Sequence, residues 1–247
     1  MKTIGMIGGM SWESSQIYYQ RANQLIKEKL GGLHSAKVIL LSVDFAEIAA
    51  LQSTGQWDTA GEIMAHAAYS LQLAGADLII LCTNTMHKLT AEIEEKIDIP
   101  FLHIADATAD AIKKAGIKKV ALLGTKFTME QDFYRGRLSS LHQLEVITPN
   151  EAGRNRVHEI IYQELCQGII NESSRQEYIA IIQQLIKLGA EGVILGCTEI
   201  AMLIQQQNVE IPIFDTTELH IRYAIQAACT EDVTLFWNKN EYKTKYT

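Results

Sequence analysis

Two copies of one pattern decide the fold of this chain. The first is GADLIILC-TNTM at residues 75–86, and the second is GAEGVILG-CTEI at residues 189–200. The offset is constant, since 189 − 75 and 197 − 83 both give 114. Each copy is followed by an Ile-Pro and a short apolar pair, at 99–102 and at 211–214. The repeat predicts two similar halves, each with one small reactive side chain, Thr83 or Cys197, at the end of a buried strand.

The rest of the chain alternates short apolar runs with helical patterns. Nearly all of the runs are continuously apolar, which is typical of parallel strands covered on both faces. Residues 58–74 are representative of the helices, with apolar positions at helical spacing and Asp58 as the expected N-cap. The alternation predicts an α/β architecture with loops at the carboxyl ends of the strands. The predicted strands are 3–7, 37–43, 77–81, 101–104, 119–123, 145–147, 192–195 and 212–214.

The halves are not separated by a linker rich in Pro, Gly or Ser. The boundary is predicted just after the fourth strand, near Asp106. We therefore expect residues 1–105 plus 215–247 to form the first half and residues 106–214 to form the second. The polar segment 231–247 has little apolar surface to bury, and we expect it to be mobile.

Composition excludes several classes of protein. A content of 47% hydrophobic and 21% charged residues is ordinary for a globular chain. A net charge of −7 without a basic cluster argues against nucleic acid as a partner. Apolar runs fall short of the roughly 20 residues that span a bilayer, and no signal peptide is expected. Four cysteines without CxxC spacing predict free thiols and a cytoplasmic location, and the histidine spacing predicts no metal site.

The opening GMIGGMSWE, residues 5–13, predicts a strand, a glycine turn and the start of a helix. The amides of such a turn bind anions such as phosphate or carboxylate. The spacing is not GxGxxG, and the acidic residue that would bind a ribose about 20 positions later is missing, which disfavours a dinucleotide. A tight turn that simply needs small residues is the alternative interpretation.

Residues 83–85 and 197–199 are the main candidates for chemistry, because both sets close an apolar strand and precede a helical pattern. Cys197 could act as a thiolate base and a thiol acid. Its ordinary pKa near 8.5 needs little lowering, which we expect a helix N-terminus to supply. The alternative for a single cysteine is a small buried hydrophobic residue. The side chain of Cys82 should turn away from that of Thr83, because side chains alternate along a strand.

Two further features have open interpretations. Thr125 and Thr128 follow the fifth strand, where two hydroxyls and the amides of a helix start could clamp a carboxylate. Simple N-capping by threonine explains the same residues equally well. His87 lies one turn beyond a strand end, and it either lines the cleft or packs a helix.

These motifs together resemble the aspartate/glutamate racemase family, the cofactor-independent amino-acid racemases. The resemblance covers the chain up to about Thr230 and is greatest to the bacterial branch that acts on L-aspartate and L-glutamate. It implies two α/β domains, each with a four-stranded parallel sheet, related by a pseudo-twofold axis with the active site between them. The matching segments are IGMIGGM at 4–10, NTMH at 84–87, GCTE at 196–199, and Thr125 with Thr128.

The resemblance also implies a cysteine from each half flanking the substrate Cα. One thiolate removes the α-proton, and the other thiol protonates the opposite face. Cys197 matches the second-half cysteine, whereas Thr83 falls on the first-half position and Cys82 lies one residue earlier. Aspartate racemases carry an arginine after the second strand and a lysine near position 166, where this chain offers Gln52 and Cys166. Recognition of the substrate side chain is therefore expected to differ.

The leading hypothesis is an isomerase: a racemase of L-aspartate and/or L-glutamate without pyridoxal phosphate, metal or any other cofactor, with Thr83 and Cys197 as catalytic residues. One alternative is a ligand-binding protein with degraded catalysis, which Thr83 favours. Another is a related isomerase or decarboxylase of small dicarboxylates. The expected partner is a small acidic amino acid, and a homodimer is left open because the sequence does not give the oligomeric state. The expected substrate-binding residues are Met10, Gln52, Asn84, Thr85, Thr125, Thr128, Thr198 and Glu199.

Overall fold

The computed structural model describes residues 1–237 of the 247. They divide into two compact units, Met1–Ile104 with the residues from His220 onward, and Ala105–Leu219. Each unit contains one parallel sheet with its own helices. Across residues 1–237, no helix is long and apolar enough to cross a membrane.

The first unit has a three-stranded parallel sheet in the order β2-β1-β3. Its strands are β1 Ile4–Gly8, β2 Val38–Ser42 and β3 Leu78–Leu81. All five residues of the central strand β1 are buried, which is why its sequence is continuously apolar or glycine. The helices of this unit are α1 Trp12–Leu30, α2 Phe45–Ser53, α3 Trp57–Leu73 and α4 Thr90–Lys96, with a 3₁₀ helix at Thr85–Leu89.

The first sheet has three strands where four were expected. Phe101 forms only a single parallel bridge to Ile79. Around that bridge, the Ile79 N–H donates to Pro100 O at 2.8 Å and the Leu102 N–H donates to Ile79 O at 2.9 Å. Pro100 has no N–H to donate, and the next helix begins at Ile104. The segment is therefore too short for a ladder.

The second unit has a four-stranded parallel sheet in the order β5-β4-β6-β7, as the resemblance implies. Its strands are β4 Lys119–Gly124, β5 Glu145–Ile147, β6 Gly192–Gly196 and β7 Ile213–Asp215. The remaining helices are α5 Ile104–Lys114, α6 Lys126–Glu130, α7 Asp132–Ser140, α8 Glu151–Gln163, α9 Glu172–Lys187, α10 Ile200–Leu203 and α11 Thr216–Ala228, with 3₁₀ helices at Leu165–Gln167, Gln206–Asn208 and Val233–Phe236. Of these, α11 from His220 onward and the 3₁₀ helix Val233–Phe236 belong to the first unit.

The register of β4 and β6 fixes where their following loops begin. Gly124 pairs with Gly196 at the carboxyl ends of the two strands. A Cβ at Gly124 would lie 2.9 Å from the Gly196 carbonyl oxygen, and a Cβ at Gly196 would lie 2.9 Å from that of Leu123. Both positions therefore need glycine. Thr125 and Cys197, the next residues along each strand, leave the same edge of the sheet side by side.

Two local expectations are corrected. Helix α3 begins at Trp57, and Gln56 occupies the N-cap without a side-chain hydrogen bond. Asp58 lies instead in the first turn, where its charge favours the helix dipole. Residues 231–237 are not a loose tail, because Val233 is buried in the first-unit core and Trp237 Nε1 donates to Glu94 Oε1 at 2.9 Å. Residues 238–247 of the segment expected to be mobile lie outside the described chain.

Candidate active site

A buried histidine holds the loop that follows β3. Nδ1 of His87 lies 2.8 Å from the Thr83 carbonyl oxygen, and the Ile104 N–H donates to its Nε2 at 3.2 Å. A carbonyl on Nδ1 and an amide donor on Nε2 select the neutral tautomer with its proton on Nδ1. The ring centroid is 4.5 Å from that of His103 and 5.6 Å from that of Phe101. Of its two open interpretations, His87 takes the packing role, and it anchors Thr83.

Cys82 and Thr83 have different surroundings, as strand alternation predicts. Cys82 is fully buried in an apolar cluster that includes Met6 and Tyr18. This burial raises the pKa of the Cys82 thiol far above its ordinary value. Thr83 is half-buried. The thiol at position 82 is therefore a neutral member of the core.

The other first-unit candidates, Met10, Gln52, Asn84 and Thr85, are all buried. Gln52 Nε2 donates to the Met86 sulfur at 3.0 Å, which brings α2 against the loop after β3. A thioether is a weak acceptor, so this bond is easily exchanged for a better one. Met10 and Met86 belong to one apolar cluster. Contact of these residues with substrate stays a prediction.

One amide of the glycine turn after β1 is already hydrogen-bonded within the protein. The Gly9 N–H donates to Ser15 Oγ at 2.8 Å. Gly9 has a φ of +97°, and a Cβ there would lie 2.1 Å from the Val43 carbonyl oxygen. Only glycine fits at this position. The simple interpretation, a tight turn that needs small residues, therefore describes this segment.

The loop after β6 brings a thiol, a hydroxyl and a carboxylate together. The Cys197 thiol donates to Glu199 Oε2 at 2.9 Å, and Thr198 Oγ1 donates to the same oxygen at 2.7 Å. Thr198 and Glu199 are buried, and Cys197 is half-buried. Glu199, expected to contact substrate, thus accepts hydrogen bonds from both Cys197 and Thr198. Such a carboxylate is placed to take the thiol proton.

The expected lowering of the Cys197 pKa does not occur. Burial raises the pKa of the Cys197 thiol well above its usual range, and the negative charges of Glu199 and Cys166 raise it further. The helix that was expected to oppose this effect, α10, spans only four residues. So short a helix has little dipole to offer, since few peptide units are aligned. In the free protein Cys197 is a thiol rather than a thiolate.

Thr125 caps α6, as one of its two interpretations predicts. Its hydroxyl accepts from the Thr128 N–H at 3.4 Å and lies 3.2 Å from the Thr128 hydroxyl. Thr128 is fully buried, and Thr125 is nearly so. Binding of a substrate carboxylate by this pair stays a prediction.

Sequence reasoning missed two residues on α8 that belong to this region. The Lys126 N–H donates to His158 Nδ1 at 3.3 Å, and the His158 and Tyr162 rings lie 4.7 Å apart. Burial, followed by the negative charges of Cys197, Cys166 and Glu199, raises the pKa of Tyr162 to about 12. The available signal was the four-residue spacing, which places 158 and 162 on one helix face.

A second buried polar cluster in the same unit is fully paired. Arg137 donates from Nε and Nη2 to the two Asp106 oxygens, each at 2.7 Å, and His142 Nε2 lies 2.8 Å from Asp106 Oδ1. The cluster ties α7 to α5 and is structural. Over the described part of the chain, no group of three or more His, Cys, Asp or Glu side chains is placed to hold a metal ion.

Comparison with known proteins identifies the family. The family model of the Asp/Glu/hydantoin racemases matches residues 7–224. A crystal structure from Yersinia pestis, provisionally described as an Asp/Glu racemase, is 54% identical and has a TM-score of 0.89, over 93% of this chain and 100% of that one. An aspartate racemase homologue from Pyrococcus horikoshii OT3 is 36% identical, with a TM-score of 0.82 and the same two coverages.

A curated relative gives a further similarity. The broad specificity amino-acid racemase RacX of Bacillus subtilis strain 168 is 27% identical over 157 residues, which is 61% of this chain and 64% of that protein. The chain belongs to the Asp/Glu/hydantoin racemase family. Its relatives are amino-acid racemases, and the chain is an isomerase of this class.

Proposed function

We propose that this enzyme racemises an acidic amino acid, L-aspartate or L-glutamate or both, without a cofactor. The reaction removes the α-proton and returns a proton to the opposite face of Cα. The observation that carries the proposal is the hydrogen bond from the Cys197 thiol to Glu199, at the carboxyl end of β6. A thiol bonded to a carboxylate has an acceptor ready for its proton, so it can become a base when substrate arrives.

The first half-reaction starts from the thiol. Cys197 transfers its proton to Glu199, and the substrate ammonium group favours the resulting thiolate by its positive charge. The thiolate then takes the Cα proton, and the electron pair of the C–H bond moves into the α-carboxylate. The enediolate-like charge is stabilised by donors bound to the carboxylate oxygens, among them Asn84, Thr85 and Thr198.

Thr83, or a water that it holds, supplies the proton to the other face. A hydroxyl is a far weaker acid than a thiol, so this step is the demanding one from the L side. In the opposite direction Thr83 would have to act as the base, for which a hydroxyl is poorly suited near neutral pH. The two half-reactions are therefore chemically unequal.

The test is chiral analysis after incubation with L-aspartate or L-glutamate. A racemase produces the D-enantiomer, and the Cys197→Ser variant does not. Binding of the L-amino acid without any D-product would support a ligand-binding protein on a racemase scaffold. Turnover of a small dicarboxylate in the absence of racemisation would support the related isomerase or decarboxylase.

A further inference from the structure

We infer that His158, with Lys126 beside it, binds the side-chain carboxylate of the acidic substrate and so favours acidic over neutral amino acids. The inference rests on the proposed function. It concerns recognition of the substrate side chain. The family resemblance implies an arginine and a lysine for this task, and the chain lacks both at the corresponding places. Gln52 and Cys166, the residues at or near those places, carry no positive charge.

His158 lies at the edge of the sheet from which Cys197 emerges. Gly124 and Gly196 are paired in neighbouring strands, so Lys126 and Cys197 stand two residues and one residue beyond the same edge of the sheet. Neighbouring strands run about 4.8 Å apart. His158, hydrogen-bonded to the Lys126 amide, is therefore held at the edge from which Cys197 emerges. Tyr162 supports this placement, because its ring lies 4.7 Å from that of His158 and Cys197 is among the groups close enough to influence its pKa.

The His158 imidazole offers a hydrogen-bond donor of the kind that binds a carboxylate. Because Nδ1 of His158 accepts the Lys126 N–H, the proton of the neutral ring is on Nε2. Nε2 has no hydrogen-bond partner within residues 1–237, and the residue is half-buried. Burial and the charge of Lys126 lower the pKa of His158, which favours this neutral form. His158 thus presents one N–H donor, suited to a carboxylate oxygen, with a cation nearby.

Neighbouring charges do not cancel this preference. Glu130 and Glu159 are the acidic groups whose charges act on His158. Both are exposed and paired, Glu130 with Arg154 at 2.8 Å and Glu159 with Arg156 at 3.4 Å. Their fields are therefore screened by solvent and by their partners. The half-buried Lys126 provides the less screened charge at this edge.

An unpaired amide lies on the same face of α8. Asn155 precedes His158 by three residues, so the two side chains are neighbours on the helix surface. Its Oδ1 is buried and has no hydrogen-bond partner among the described residues. An amide oxygen accepts hydrogen bonds, so this atom calls for a donor such as a water molecule or an ammonium group, and it does not itself bind a carboxylate.

The experiment compares His158→Leu, His158→Gln and Lys126→Gln with the wild type, after the wild type has been shown to exchange the α-hydrogen of L-aspartate. His158→Leu should raise KM for L-aspartate at least about tenfold with a much smaller change in kcat, because a hydrogen bond to a charged group is lost. His158→Gln should recover part of that loss, since its Nε2 can replace the imidazole donor. Lys126→Gln should raise KM about threefold, a smaller effect, because the charge of a half-buried lysine is still partly screened by solvent.

Two further measurements distinguish a loss of carboxylate binding from general damage to the active site. L-Asparagine, which has the same shape without the charge, is used as a competitor, and its inhibition constant should change less than about twofold in His158→Leu. His66→Leu, which alters an exposed histidine of the first unit, is the control and should leave KM unchanged. An unchanged KM in His158→Leu would overturn the inference, as would a fall in kcat alone that glutamine does not rescue. Absence of exchange by the wild type would instead reject the proposed function.

Discussion

Nδ1 of His87 donates a hydrogen bond to the carbonyl oxygen of Thr83 at 2.8 Å, across one turn of the loop that follows β3. The same ring accepts the Ile104 N–H through Nε2. A buried, neutral imidazole thus joins the proposed proton donor to the first residue of α5. The position of Thr83 depends on this ring, because no apolar side chain can satisfy both backbone groups.

His87→Leu should destabilise the protein by at least about 2 kcal/mol, since two buried backbone groups lose their partner at roughly 1–3 kcal/mol each. Urea denaturation followed by circular dichroism measures the effect. His66→Leu, an exposed change in α3, should shift the free energy of unfolding by no more than about 0.5 kcal/mol. Equal unfolding curves for the two variants would mean that the His87 hydrogen bonds contribute nothing.

Cys197→Ser should lower kcat at least about a thousandfold, because the acid–base group that acts on Cα is lost. Chiral chromatography of the products measures this. Cys82→Ala is the matched control: it should keep most of the activity and cost about 1 kcal/mol of core packing. If Cys82→Ala were folded but inactive while Cys197→Ser kept near-normal activity, Cys82 and not Cys197 would be the catalytic thiol.

Glu199→Gln should lower the pKa of the Cys197 thiol. While it is ionised, as in the free protein, the carboxylate raises the pKa of the thiol by its charge and its hydrogen bond, and this effect ends once Glu199 accepts the proton; removing the charge by substitution therefore favours the thiolate at lower pH. The pH dependence of iodoacetamide labelling at Cys197, read by peptide mass spectrometry, should therefore move to lower pH. A midpoint that stays in place or rises would show that Glu199 does not hold the proton on the thiol.

Thr83→Cys should raise kcat for the D-substrate, because a thiol is a better base than a hydroxyl. The equilibrium constant between enantiomers is one, so kcat/KM must be equal in the two directions of any variant. The wild type should therefore show a lower kcat and a matching lower KM from the D side. Steady-state kinetics on both enantiomers measures these kcat and KM values. If the wild type had the same kcat for the L- and D-enantiomers, and Thr83→Cys changed neither value, the two half-reactions would not be unequal.

The sequence predicts the strand ends that carry Thr83 and Cys197, because continuous apolar runs and a constant offset are properties of the chain itself. It overestimates the first sheet, since the run at 101–104 is apolar yet pairs only through Phe101. Pro100 has no N–H to donate and α5 begins at Ile104, so the fourth strand does not form. The spacing of apolar residues does not reveal either limit.

Tertiary electrostatics is harder to predict. A helix after Cys197 suggested a lowered thiol pKa, but helix length and the orientation of Glu199 decide the sign, and neither follows from the motif. The role of His158 does not follow from the sequence for a related reason. His158 lies on a helix 32 residues beyond Lys126, and only the fold joins its ring to the end of β4.

The central claim is that the enzyme breaks and remakes the Cα–H bond of an acidic amino acid. Incubation with L-aspartate or L-glutamate in deuterium oxide, followed by chiral separation and mass spectrometry, tests it directly. We expect a D-enantiomer that carries deuterium at Cα, formed by the wild type and reduced at least about a thousandfold in Cys197→Ser. Recovery of the L-amino acid with its α-hydrogen intact and no D-enantiomer would contradict it.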